Sequence, residues 1–196
     1  ALDMKFCNVI GVKTGLEVTE EGGLPAPAQF SIIRTRFLNE YNLNFVKGIY
    51  HEDIEFKPRV TYLAKRIASD SEISYNYLQR MSGNIMSNFK LKNAIDIIKV
   101  INSLLDFSDK YSIPSRYRRH IYRRICMNLN SLLFHIRDLS DEDKILLIQQ
   151  LRNNKQIFDC MIHTGKLKYQ IEGLLLKMNV SLGVLLHQNI RYKFLK

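Results

Sequence analysis

The sequence has 196 residues, enough for one domain or a domain with an appendage. Hydrophobic residues make up 46% and charged residues 24%, which excludes a disordered or fibrous chain and allows a sizeable core. The formal net charge of +10 favours an anionic partner, whether nucleic acid, an acidic membrane face or a phosphate-bearing substrate, without choosing among them.

In chain order, Met4 to Val12 is a short β-prone run and Lys13 to Pro27 a loop rich in Gly and Glu. Phe30 to Arg34 suits a short strand or the start of a helix, and Arg36 to Tyr41 a helical turn. After the acidic pair Glu52-Asp53, Phe56, Val60, Leu63, Ala64 and Ile67 predict one stripe of a helix, with Pro58 in its first turn. Ile73 to Leu78 alternates, with Ile73, Tyr75 and Tyr77 on one face, and reads as a strand.

From about Lys90 the texture becomes all-helical. Leu91, Ile95, Ile98, Ile101, Leu105 and Ser108 trace one face of a first helix. A break at Ser112-Ile113-Pro114-Ser115 precedes a second, with Ile121, Ile125, Leu129, Leu132 and Ile136. Ser140-Asp141-Glu142-Asp143 opens a third, and two more are expected over 156–163 and 167–189. The expected fold class is α+β and predominantly helical, a few short strands followed by a multi-helix extension, divided at 1–89 and 90–196.

Cys7, Cys126 and Cys160 are widely spaced and outside any C-x-x-C, so they read as small buried hydrophobes in a reducing compartment. The chain begins at Ala1 with a strand-like run, which suggests a portion of a longer protein. The most apolar window, Ile171 to Leu186, is interrupted by Glu172 and Lys177, and no transmembrane helix is expected.

The most informative stretch is His51-Glu52-Asp53, two carboxylates behind a Gly48-Ile49-Tyr50 turn and ahead of a helix. A helix start favours an ionised carboxylate, so the pair suits a general base or a plain N-cap. Arg80, after the alternating run and before Met81-Ser82-Gly83-Asn84, suits a diphosphate or simply solvent. Arg116, Arg118, Arg119, Arg123 and Arg124, with Tyr117 and Tyr122 interleaved, suit an anionic lipid surface, nucleic acid, or the solvated face of a helix. Asp141-Glu142-Asp143 spells D-x-D but reads as a helix start capped by Ser140. His120, His135, His163 and His187 have no metal-ligand spacing, and no Walker A, G-x-G-x-x-G or G-x-S-x-G is present.

One ordered series ties several of these features together. It runs Pro25-Ala26-Pro27-Ala28, Phe37-Leu38-Asn39-Glu40, Leu43 to Phe45, Gly48-Ile49-Tyr50-His51-Glu52-Asp53-Ile54-Glu55-Phe56, Ala64-Lys65-Arg66-Ile67, Tyr75-Asn76-Tyr77 and Arg80 with Ile85-Met86. The series resembles bacterial family 2 glycosyltransferases of the GT-A fold, of the kind that build capsular and cell-surface polysaccharides. The resemblance implies an inverting transfer of sugar from a nucleotide-sugar to a glycan or lipid-linked acceptor. It makes Asp53 the catalytic base, Glu52 and His51 site residues, and Arg80 a neighbour of the donor diphosphate. The loop after Arg80 departs from the family's Arg-x-Gly-Ser-Ile, so Ser82 is not carried over.

The family's nucleotide-binding half, with the D-x-D that holds Mg or Mn, should precede Met4. The expectation is therefore the acceptor-side part of a GT-A enzyme (1–89) with a helical extension (90–196), inactive alone and holding no cofactor of its own. Mg or Mn is expected in the full-length enzyme. A cytoplasmic location is expected, peripheral at the inner face of the membrane. The alternative is a basic helical module that binds an anionic membrane or nucleic acid through Arg116–Arg124, nucleic acid being the less favoured partner.

Overall fold

Ile121, Ile125, Leu129, Leu132 and Ile136 recur at helical spacing, and all five are buried along the central helix of the computed structural model. The structure describes residues 9–70 and 89–194, with side chains through residue 189. In chain order the helices are α1 (Gly15–Glu20), α2 (Thr35–Glu40), α3 (Glu52–Leu63), α4 (Leu91–Lys110), α5 (Ser115–His135), α6 (Asp141–Asn153), α7 (Asp159–Ile162), α8 (Leu167–Met178) and α9 (Val180–Phe194). The central α5 packs against α1, α4, α7 and α9. Each large aliphatic side chain fully buried there contributes about 1.5–3 kcal/mol.

The α4 stripe is wider than its spacing predicts. Ala94, Ile97, Ile98, Ile101, Leu104 and Phe107 are buried, while Leu91, Ile95 and Leu105 sit half-buried at its edges. The cause is that α4 packs on α3, α5 and α6 together, so more than one stripe is covered. Ser112 turns the chain in the left-handed region (φ 45°). Ser140 accepts the Asp143 amide at 3.2 Å and starts α6, so the D-x-D lies in a first helical turn.

The stretch read as one helix over 167–189 is two. Asn179 leaves helical geometry (φ −145°, ψ 104°), and its Oδ1 accepts the Leu182 amide at 3.1 Å, capping α9. Gly183 lets α9 fold back on α8, because a Cβ there would lie 2.8 Å from Leu176 Cδ2. The buried His187 ring is hydrogen-bonded to Glu172, a further tie across the hairpin. The helix read over 156–163 starts as a 3-10 turn, Lys155–Phe158, before α7.

The few short strands expected in the first third do not form among the described residues. One antiparallel bridge stands in their place, with Lys13 and Ile67 exchanging backbone bonds of 2.9 and 2.7 Å. Extended backbone becomes sheet only beside a partner. The Phe30–Arg34 run pairs with no strand among the described residues: it opens as a 3-10 turn, Ala28–Phe30, and leaves Ile32 almost fully exposed. Of the Met4–Val12 run, residues 9–12 form no strand; residues 4–8, and the whole of Ile73–Leu78, lie outside the described residues.

The Lys13–Pro27 loop also contains an unforeseen helix, α1. Thr14 and Glu17 build its capping box, through bonds of 3.3 Å from the Glu17 amide and 2.7 Å from the Thr14 amide. Pro58 stands inside α3 rather than in its first turn, because the helix begins at Glu52. The segments divided at residue 89 pack together: α1 lies on α3 and α5, and α3 on α4. Phe89 itself stacks on His135, with ring centroids 5.0 Å apart.

Candidate active site

The turn that presents Glu52 and Asp53 is held from both sides. Gly48 takes φ 77°, a left-handed conformation that glycine adopts without strain. His51 follows at φ 65°, where a side chain is disfavoured, and forms the N-cap of α3 without a capping bond from its side chain. From below, the buried Asp96 of α4 accepts the Tyr50 amide at 3.0 Å. Lys92 donates to the Gly48 carbonyl at 2.9 Å and to Asp96 at 2.5 Å, and lies over the Tyr50 ring. Burial pushes the Asp96 carboxyl up, but bonds from Lys92, the Tyr50 amide and Lys99 together hold it below the ordinary value. From outside the turn, Phe45 stacks on the buried Phe56, centroids 4.2 Å apart.

Asp53 is half-buried, and Glu52 is exposed. Burial raises the Asp53 carboxyl above its ordinary value, and the Glu52 charge adds to the rise; the bond from the Ile54 amide, 2.8 Å to Oδ1, works against it. The plain capping reading made Asp53 the N-cap; the N-cap is His51, and the Ile54 amide that Asp53 meets also donates to the His51 carbonyl at 3.0 Å. Burial lowers the His51 imidazole, against the pull of Asp53, Glu52 and Asp96. Its Nε2 is buried with no partner among the described residues.

Lys57, one turn after Asp53, was not singled out by the sequence and is completely buried. It donates to the Ser31 hydroxyl. Burial lowers it to about 8, the Arg124 charge pushes the same way, and Asp53 opposes them. A signal was available: position 57 lies four residues after Asp53 and beside the apolar stripe of Phe56 and Val60.

The sign of the linkage is fixed, since the folded value lies below that of an unfolded lysine. Holding Lys57 charged opposes folding below about pH 8, and this penalty disappears as pH rises toward 10.5. Lys57→Met is accordingly expected to raise stability at pH 7 by roughly 2 kcal/mol, allowing for the lost Ser31 bond. Urea unfolding of both proteins from pH 7 to 10.5 should show that gain shrinking; a constant gain would mean that Lys57 is not held as a strained cation.

The predicted arginine cluster is tied inward. Arg116 pairs with Glu20, and Arg118 with Asp109 at 2.9 Å and the Ser108 carbonyl at 3.0 Å. Arg123 donates to the Thr164 carbonyl, and Arg124 to the Gly22 and Leu24 carbonyls at 3.2 and 2.6 Å. Arg119 lies beside Gly165. Arg123 and Arg124 fasten loops to α5, while Arg116 ties it to α1 and Arg118 to α4. Arg80 lies outside the described residues. Cys126 and Cys160 are buried thiols, with burial pushing Cys126 up to about 12 and Cys160 further. Cys7 lies outside the described residues.

Among the described residues no three His, Cys, Asp or Glu side chains converge to hold a metal. No described helix is long and apolar enough to cross a membrane. Compared with protein-family models, curated proteins and solved structures, the chain finds no match in any of the three.

Proposed function

We propose that this chain carries the acceptor-side portion of an inverting glycosyltransferase, with Asp53 as the general base. The observation that carries the reading is the presentation of Asp53: half-buried, its carboxyl raised, at the start of α3 behind a left-handed His51. In this reading Asp53 takes the proton from an acceptor hydroxyl as that oxygen attacks the anomeric carbon of a nucleotide-sugar. A raised carboxyl is a better proton acceptor than an ordinary aspartate. Glu52 keeps the carboxyl high through its charge, and His51 lies next to the base where an acceptor would approach. The donor and its metal would be bound by the strand–helix half that precedes this block in the resembled family. Arg80 would neighbour the donor diphosphate.

Asp53→Asn in the intact protein keeps the shape of the turn and removes the base. Transfer from nucleotide-sugars is expected to fall roughly 10²–10⁴-fold. In the unsubstituted protein the rate should drop on the acid side with a midpoint above that of an ordinary aspartate, because the ionised base is lost there. Unchanged transfer by Asp53→Asn would remove Asp53 from this role.

A further inference from the structure

The helix α8 is apolar on two opposite sides. Its inner side buries Gly173 and Leu176 against the rest of the fold. Its outer side carries Leu167, Ile171, Leu174 and Met178, which are 71%, 52%, 50% and 81% exposed. Spacings of four, three and four place these four side chains on one line along the helix. The adjoining α9 repeats the arrangement: Val180, Val184 and His187 face inward, while Leu182 and Leu185 are about half exposed. A monomer leaves single large hydrophobes in water, but a continuous line of them marks a surface that something covers.

Charge identifies what covers it. At about 100° per residue, Lys168 falls on one flank of the α8 line and Lys166 and Lys177 on the other, each about 90° from its centre. All three are exposed. From Lys166 to Phe194 the sequence also carries Arg191 and Lys193 against a single acid, Glu172. Glu172 is turned inward, hydrogen-bonded to the buried His187. Glu172 is thus withdrawn, Lys177 is paired with Asp159 at 2.6 Å, and Lys166 and Lys168 border the apolar line on its two sides. Such a helix rests in the plane of a membrane interface, its apolar line among the acyl chains and its lysine stems reaching up to the headgroups. A protein partner with an apolar groove would cover the line but would not call for cations on both flanks.

We infer that the outer face of α8, continued by Leu182 and Leu185 of α9, is an interfacial membrane-binding surface selective for anionic phospholipid. It stands apart from the Asp53 turn and does not depend on the proposed transfer activity. The placement is separate from the sequence expectation, which put anionic contact on α5, where Arg116, Arg118, Arg123 and Arg124 make contacts within the fold.

The test is co-sedimentation of the full chain with phosphatidylcholine vesicles with and without 30% phosphatidylglycerol, a composition chosen to give a strongly anionic surface. Binding is expected to the anionic vesicles and to fall at least tenfold without the phosphatidylglycerol. Ile171→Ser with Leu174→Ser, at exposed positions, is expected to lower binding at least tenfold with unchanged circular dichroism. Lys166→Gln with Lys168→Gln should do the same, and Arg119→Gln should not. Three results would each overturn the inference: no binding to anionic vesicles, binding unaffected by the Ile171 and Leu174 changes, or a dimer in solution that those changes dissociate. The last would assign the face to a second copy of the chain.

Discussion

Replacing Glu55 by alanine should lower the stability of this fold by about 3 kcal/mol, read as a shift in the urea midpoint at constant slope. Glu55 is 1% exposed, in the first turn of α3. Its two oxygens have separate tasks. Oε2 pairs with Arg59 at 2.5 Å, one turn along the helix, and Oε1 accepts the Ser103 hydroxyl of α4 at 2.6 Å. Alanine would leave the Arg59 guanidinium largely buried without its counter-charge, its Nε already having no partner among the described residues. Arg59 would retain only the Asn44 carbonyl at 2.8 Å and its place over the Phe56 ring. Most of the loss comes from this stranded cation. Adding Arg59→Ala should therefore cost much less than the same change made alone. Additive losses in the double-mutant cycle would show that the two residues act independently.

Gly15→Ala is expected to detach α1 from α3. A Cβ at this position would lie 1.7 Å from the Thr61 carbonyl oxygen and 2.8 Å from that of Ala64. Both are backbone atoms, so no rotamer change makes room, and the helices must separate. Separation would break the 2.7 Å bond from the Gly15 amide to Ala64 and loosen the Lys13–Ile67 bridge. It would also expose Val18, which is fully buried. A loss of about 3 kcal/mol is expected, at the upper end for over-packing. The loss should come with faster amide exchange at Lys13 and Ile67. Gly48→Ala is the contrasting case. Nothing lies within 4 Å of a Cβ there, so only the left-handed backbone opposes it, at about 1–2 kcal/mol. Equal losses at the two positions would mean that backbone conformation, and not the close approach of α1, sets the requirement at Gly15.

The C-terminal helices were the most legible part of the sequence. A five-membered stripe such as that of α5 is fixed by period alone, and all five positions are buried. Where the period misled, a competing local signal was present. Asn179 and Gly183 divide an apolar run that looks continuous, because a side-chain cap and a close approach outweigh apolar continuity. Thr14-x-x-Glu17 marks α1 as a helix start inside what composition reads as a loop. Of the two readings left open for residues 30–34, the strand did not form and Arg34 is the N-cap of α2; pairing is a property of two segments, and one run of residues cannot reveal whether its partner is adjacent.

At the Asp53 turn, adjacent residues revealed the acidic pair and the Gly48 turn. The supports are remote in sequence and were not legible there. Asp96 holds Tyr50 from 46 positions away, and Ser103 holds Glu55 from 48. Lys57 and Glu55 were hidden for another reason. Charged residues on an amphipathic helix are read as its wet face, yet α3 is enclosed by α1, α4 and the 31–45 segment, so part of that face is dry.

The spacing of these supports has a consequence for how the protein is made. Synthesis runs from the N-terminus, and the His51-Glu52-Asp53 turn leaves the ribosome before Lys92 and Asp96, which secure it from α4. Asp96 must emerge before Tyr50 is fixed. The α1 segment waits longer, since Arg116 meets Glu20 across 96 residues and Arg124 meets Leu24 across 100. Closing loops of that length is slow compared with forming a helix hairpin such as α8–α9, whose contacts are local. The nascent acidic turn thus remains an unsupported segment until α4 and α5 have been translated. The acidic turn is thus translated ahead of the α4 residues that hold it.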